Sequence, residues 1–127
     1  MRLNKDVILE NNFEDISKPR LQELLQKYDY KSIVVRFEGN ISKIFDRFVQ
    51  REQSVERHLG HVSNQCYPVN EPYSRKSSIT LEQFENSVRS KGIDDFDMGG
   101  ELILVDTSDL SNVNYNAIIS SIKAKMV

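Results

Sequence analysis

His58, His61 and Cys66 lie close together in the chain and are its soft or borderline metal ligands. Two imidazoles and a thiolate are donors that zinc accepts, and Glu71 or Asp46 could complete a tetrahedral set. Structural zinc sites usually pair their ligands as CxxC or HxxxH, and neither pair occurs here. Water-facing histidines at a helix end are therefore the plainer reading, and no metal is expected. The same residues could form a nucleophilic couple, with Cys66 as the attacking thiolate and His61 or His58 as its base. A reactive thiolate needs an electropositive setting such as a helix N-terminus. Cys66 stands between polar loop residues and Tyr67-Pro68, with nothing to lower its pKa.

Carboxylates offer a second chemistry. Asp94, Asp95, Asp97, Glu101 and Asp106 flank the apolar run Leu102-Ile103-Leu104-Val105. Acids at a strand end can hold Mg²⁺ for phosphodiester cleavage, which gives a metal-dependent nuclease or hydrolase as one alternative. Such a site also needs a cation for the phosphate, commonly a lysine two positions beyond the acid. Glu101 is followed instead by Leu102, Ile103 and Leu104. No glycine-rich loop joins a strand to a helix, so no nucleotide and no cofactor is expected.

A third possibility is nucleic-acid binding. Lys43, Arg47 and Arg51 stand four apart, on the outward side of an expected helix, and Tyr67, Tyr73, Arg75 and Lys76 follow in a loop. Cations that track phosphates and aromatics that stack on bases make a nucleic-acid surface. Here Asp46, Gln50 and Glu52 interleave with the stripe, so ordinary pairing along a solvated helix accounts for it more simply.

The elements that must position these residues follow from periodicity. Asp6-Val7-Ile8-Leu9-Glu10, closed by Asn11-Asn12, reads as a first strand. Ser17 as N-cap, Pro19 in the first turn, and Leu21, Leu24, Leu25 and Tyr28 at helical spacing make a first helix. Ser32 to Phe37 is rich in β-branched residues and stops at Gly39, as a buried strand does. Ile41, Ile44, Phe45, Phe48, Val55 and Leu59 predict a long amphipathic helix ending near Gly60. From 61 to 78 neither period appears, and Pro68, Pro72, Asn64 and Asn70 mark a loop of a length that often carries function. Thr80 and Gln83 form a capping box for a third helix ending at Gly92. Gly99-Gly100 predicts a tight hairpin between Phe96-Asp97-Met98 and Leu102 to Val105. Tyr115, Ile118, Ile119 and Ile122 close the chain as a last helix.

Strands alternating with helices predict an α/β or α+β domain. Its expected form is a small mixed sheet of three to five strands packed with about four helices, the first two strands parallel through a crossover helix. The 127 residues suit a single domain, spanning 1–127. An apolar fraction of 39% with 28% charged residues belongs to a chain that folds. No apolar run is long enough to cross a bilayer, the first residues lack a secretory core, and one cysteine cannot form an internal disulfide. A cytoplasmic protein without a membrane partner is the simplest expectation.

Net charge is only −2, yet it is unevenly spread. Between residues 81 and 109, Glu82, Glu85, Asp94, Asp95, Asp97, Glu101, Asp106 and Asp109 face only Arg89 and Lys91. Acidic runs are often solvated turns and helix starts. They also suit a surface that attracts a basic partner. With no catalytic constellation complete, the expected function is a non-enzymatic protein-binding domain, of the inhibitor or immunity type, that masks a basic protein. Asp94, Asp95, Asp97, Glu101 and Asp109 would make its electrostatic contacts and Tyr67 and Tyr73 its aromatic anchors.

Overall fold

A computed structural model describes residues 5–56 and 79–126. Helix α1 (Lys18–Tyr28) leads to strand β1 (Ile33–Glu38) and helix α2 (Ile41–Gln53); helix α3 (Leu81–Ser90), strand β2 (Glu101–Asp106) and helix α4 (Tyr115–Lys125) follow. Short 3-10 turns cover Asp15–Ser17 and Leu110–Asn112.

The two strands pair in parallel, Ile33 against Glu101 through Glu38 against Asp106. Helices α2 and α3 lie in the connection between them, as a parallel pair requires. Among the described residues the architecture is thus mixed α/β, with four helices and a sheet of two strands instead of three to five.

Two expected strands are absent for local reasons. Val7, Ile8 and Leu9 are exposed and form no ladder, Ile8 being 95% accessible. The chain on either side is held elsewhere. Tyr30 Oη donates to the Lys5 carbonyl, the Phe13 ring stacks on Phe96 with centroids 5.4 Å apart, and Asp15 N–H donates to the Lys91 carbonyl at 2.8 Å. The parallel crossover therefore joins β1 to β2, and α1 does not link two paired strands. No hairpin forms at Gly99-Gly100 either. Gly99 takes a left-handed φ of 76°, its N–H bonded to the Asp97 carboxylate, and Gly100 lets β2 start close against Ser32. A Cβ on Gly100 would sit 2.7 Å from the Ser32 carbonyl oxygen. These glycines serve strand entry, and Met98 precedes the strand without pairing.

The helices follow their sequence signals more closely. Thr80 Oγ1 accepts from Gln83 N–H while the Gln83 side chain accepts from Thr80 N–H, a complete capping box. Asn40 caps α2 by accepting from Ser42 and Lys43, and Asn114 caps α4 by accepting from Ala117. Ser17 precedes α1 as expected, although its hydroxyl donates back to the Glu14 carbonyl at 2.6 Å. Helix α2 stops at Gln53, short of Gly60, because Ser54 turns extended and its Oγ accepts from Glu56 N–H, a local bond that competes with continuing the helix.

The core is slender. Phe45 and Phe48 of α2 meet Phe84 of α3 with ring centroids 5.4 and 5.2 Å apart. Phe96 and Val105 are the buried apolar residues among those described. No helix among the described residues is long and apolar enough to cross a membrane.

Candidate functional site

Strand β2 separates the acids that the sequence groups. Glu101 opens the strand and Asp106 ends it, five steps of about 3.3 Å and so roughly 16 Å apart. Glu101 therefore marks the N-terminal end of the sheet, with Asp94, Asp95 and Asp97 in the segment that leads into it, while Asp106 and Asp109 belong to the other end.

At the C-terminal end the groups are tied to one another. Thr107 donates both its N–H and its hydroxyl to the Glu38 carbonyl, at 2.7 and 2.9 Å. Ser108 Oγ accepts from Asn40 N–H at 2.8 Å, and a Cβ on Gly39 would press on the Ser108 backbone, so the two loops meet closely. Arg47 donates Nη1–H to the Thr107 carbonyl at 2.6 Å. Expected on the outward side of its helix, Arg47 is half-buried and clamps α2 to the end of β2. Arg51 lies over the Phe48 ring. The basic stripe is thus partly consumed by the fold.

Asp106 and Asp109 both have their carboxyls held below the ordinary carboxylate range. For Asp106 the Ser108 hydroxyl is the main cause, then the Ser108 N–H; for Asp109 the Ser111 hydroxyl leads, then the Ser111 N–H. Attraction from Lys43 adds a little to each. Asp109 caps the Leu110–Asn112 turn, so its carboxylate is occupied locally. Its hydrogen bonds make it a structural acid first.

At the N-terminal end, Asp97 accepts from Gly99 N–H, and Glu101 is ion-paired with Lys125 of α4. An open depression of about 480 Å³ lies here, lined in part by Leu25, Tyr30, Lys31 and Glu101. Asp94 and Asp95 project from the turn after α3, exposed and without a cation partner among the described residues. Asp15, which the sequence does not connect to them, joins this turn through its N–H bond to Lys91. Its carboxylate lies where a Cβ on Gly92 would be, which shows how closely the two segments approach. Beside it Ile16 is 86% exposed, a large apolar side chain next to carboxylates. Lys18 and Lys91 partly offset the acids by pairing with Asp15 at 3.5 Å and Glu14 at 3.3 Å.

The turn is rigidly backed. Phe96, 5% exposed, sits on Phe13 with the Lys18 ammonium 5.5 Å from its ring centroid, and Arg36 of β1 donates to the Phe96 carbonyl. Sequence periodicity could not show that Phe13 and Phe96 meet, nor that Asp15 comes against Lys91 and Gly92 in the turn that leads to Asp94 and Asp95.

Tyr67, Tyr73, His58, His61, Cys66 and Glu71, and with them the expected 61–78 loop and the zinc and thiolate readings, lie outside the described residues. Among the described residues no three Asp, Glu, His or Cys side chains gather as a metal site. No protein-family model, no curated protein and no solved structure matches this chain.

Proposed function

We propose that the chain is a non-enzymatic protein-binding domain that takes a basic protein on the surface formed by Asp15, Ile16, Asp94 and Asp95, in the manner of an inhibitor or immunity protein. The observation that carries this reading is the 2.8 Å bond from Asp15 N–H to the Lys91 carbonyl, which unites acids distant in sequence around an exposed isoleucine. Two carboxylates without cation partners lose little on meeting lysines or arginines, and their field accelerates encounter. Ile16 supplies apolar area that buries on contact. Asp97 and Glu101, each bonded within the chain, support the approach to this surface more than they contact a partner, and Asp109 caps a turn beyond the far end of β2, away from it.

The test compares tagged wild-type chain with the triple reversal Asp15→Lys, Asp94→Lys, Asp95→Lys in extracts of the source cells. A basic protein captured by wild type and lost in the variant is expected, with association slowed about ten-fold or more at low salt and less so at high salt. Capture unchanged by the reversal, or capture of nucleic acid alone, would overturn the reading.

A further inference from the structure

Between two anchors on its own fold, the chain displays a run of apolar side chains. Tyr30 Oη donates to the Lys5 carbonyl at 3.2 Å and the Phe13 ring stacks on Phe96. Between these contacts runs Asp6-Val7-Ile8-Leu9-Glu10, with Val7, Ile8 and Leu9 exposed by 62, 95 and 63%. Asp6 and Glu10 are exposed as well, with no cation partner among the described residues. The main chain from Val7 to Glu10 enters no backbone–backbone hydrogen bond among those residues either. Scattered apolar residues are ordinary on a protein surface, but three in succession, bracketed by carboxylates, mark a contact. A segment tied at both ends also loses less freedom on binding than a loose one. It leads to the acidic surface described above: Phe13 stands three residues before Ile16, and its partner Phe96 directly follows Asp95.

From this anchored, unladdered segment we infer that Asp6–Glu10 is a second contact for the basic protein proposed to bind at Asp15, Ile16, Asp94 and Asp95, and that it engages by adding to an exposed strand edge of that protein. The inference rests on that reading for the partner's charge. Strand addition satisfies the main-chain groups of Val7 to Glu10, and alternate side chains set specificity. In an added strand Asp6, Ile8 and Glu10 share one side, with the two carboxylates four steps of about 3.3 Å, roughly 13 Å, apart. The edge that fits therefore carries an apolar residue opposite Ile8 and a lysine or arginine two positions to either side of it. A second copy of this chain does not offer that pattern: Ile33–Glu38 holds a single cation, Arg36, and Glu101–Asp106 holds none.

The probe is the peptide Lys-Thr-Val-Thr-Lys-Thr-Val-Thr-Lys, titrated to about 1 mM into the isotope-labelled full chain while amide shifts and amide exchange are followed. Shift changes and slowed exchange centred on Val7–Glu10 are expected. Affinity should fall at least ten-fold when serine replaces the valines or glutamate replaces the lysines of the peptide, and equally for Ile8→Ser or for Asp6→Lys with Glu10→Lys in the chain. These positions are exposed, and unchanged amide signals outside the segment verify that each variant keeps the fold. Absence of binding, shifts confined to other surfaces, or affinity indifferent to the peptide and chain substitutions would each overturn the inference. The wider reading fails by a separate measurement, capture of a basic protein unaltered by reversal of Asp15, Asp94 and Asp95, so the two failures are distinguishable.

Discussion

Truncating Phe96 to alanine removes the contact that holds the acidic turn to the body of the protein. The ring is 5% exposed, stacks on Phe13 and lies beneath the Lys18 ammonium. Phe→Ala in a well-packed site costs about 3–5 kcal/mol in lost transfer energy and residual cavity. Phe13 is only half-buried, so the site can partly collapse or admit water, which places the expected loss near the lower end, about 3 kcal/mol. That is a large share of the roughly 5–15 kcal/mol that holds a domain folded. With a urea slope of about 1–3 kcal/mol/M, the unfolding midpoint should fall by about 1–3 M at unchanged slope. Phe96→Leu, which keeps most of the apolar volume, should lose less than half as much. In a double-mutant cycle with Phe13→Ala, the coupling should be about 1 kcal/mol, as for stacked rings. A midpoint shift below about 0.3 M for Phe96→Ala, or additive effects in the cycle, would show that the ring does not anchor the turn.

Two further outcomes test the surroundings of the same surface and the far end of the sheet. Gly92→Ala should destabilise by more than about 1 kcal/mol, because Gly92 holds φ at 66° and the new Cβ would strike the Asp15 carboxylate; adding Asp15→Ala should recover part of the loss in the same urea titration. Asp106 and Asp109 have folded pKa values held below the ordinary carboxylate value of about 4 by their serine hydrogen bonds. Their contribution is therefore complete above that value and is lost as pH falls through the lower folded values, so the melting temperature should drop on acidification below about pH 4, and Asp109→Asn should flatten that drop.

How far the sequence revealed this arrangement depends on the range of the interactions. The capping box at Thr80 and Gln83, the proline-opened α1 and the β-branched β1 are set by neighbours a few residues apart, and each forms where its signal stands. The segment 6–10 has equal strand character, yet a strand exists only where another backbone meets it, and the Phe13 and Tyr30 contacts direct this one elsewhere. Gly99-Gly100 carries the signal of a turn correctly, while its use, entry to a parallel strand against Ser32, is decided by a distant residue. The acids show the same division. Their abundance between 81 and 109 is legible, but β2 splits them between two ends and the fold recruits Asp15 to one of them. Arg47, which reads as a surface cation, is claimed by the Thr107 carbonyl, 60 residues away.

The pairing of β1 with β2 also governs how the protein comes to be folded. Asn40 and Ser108, joined where the strands end, are 68 residues apart, so most of the chain must be synthesised before the sheet can close. At about 5–20 residues per second, β1 waits on the order of several seconds on the ribosome with both of its edges bare. Ring closure of that length then makes sheet formation a late event, limited by chain entropy. During that interval helices α1 and α2 can form, but the hydrogen-bonding edges of β1 stay without a partner strand. The nascent chain is thus most open to misassociation before Glu101 emerges, and a chaperone would have its longest opportunity there.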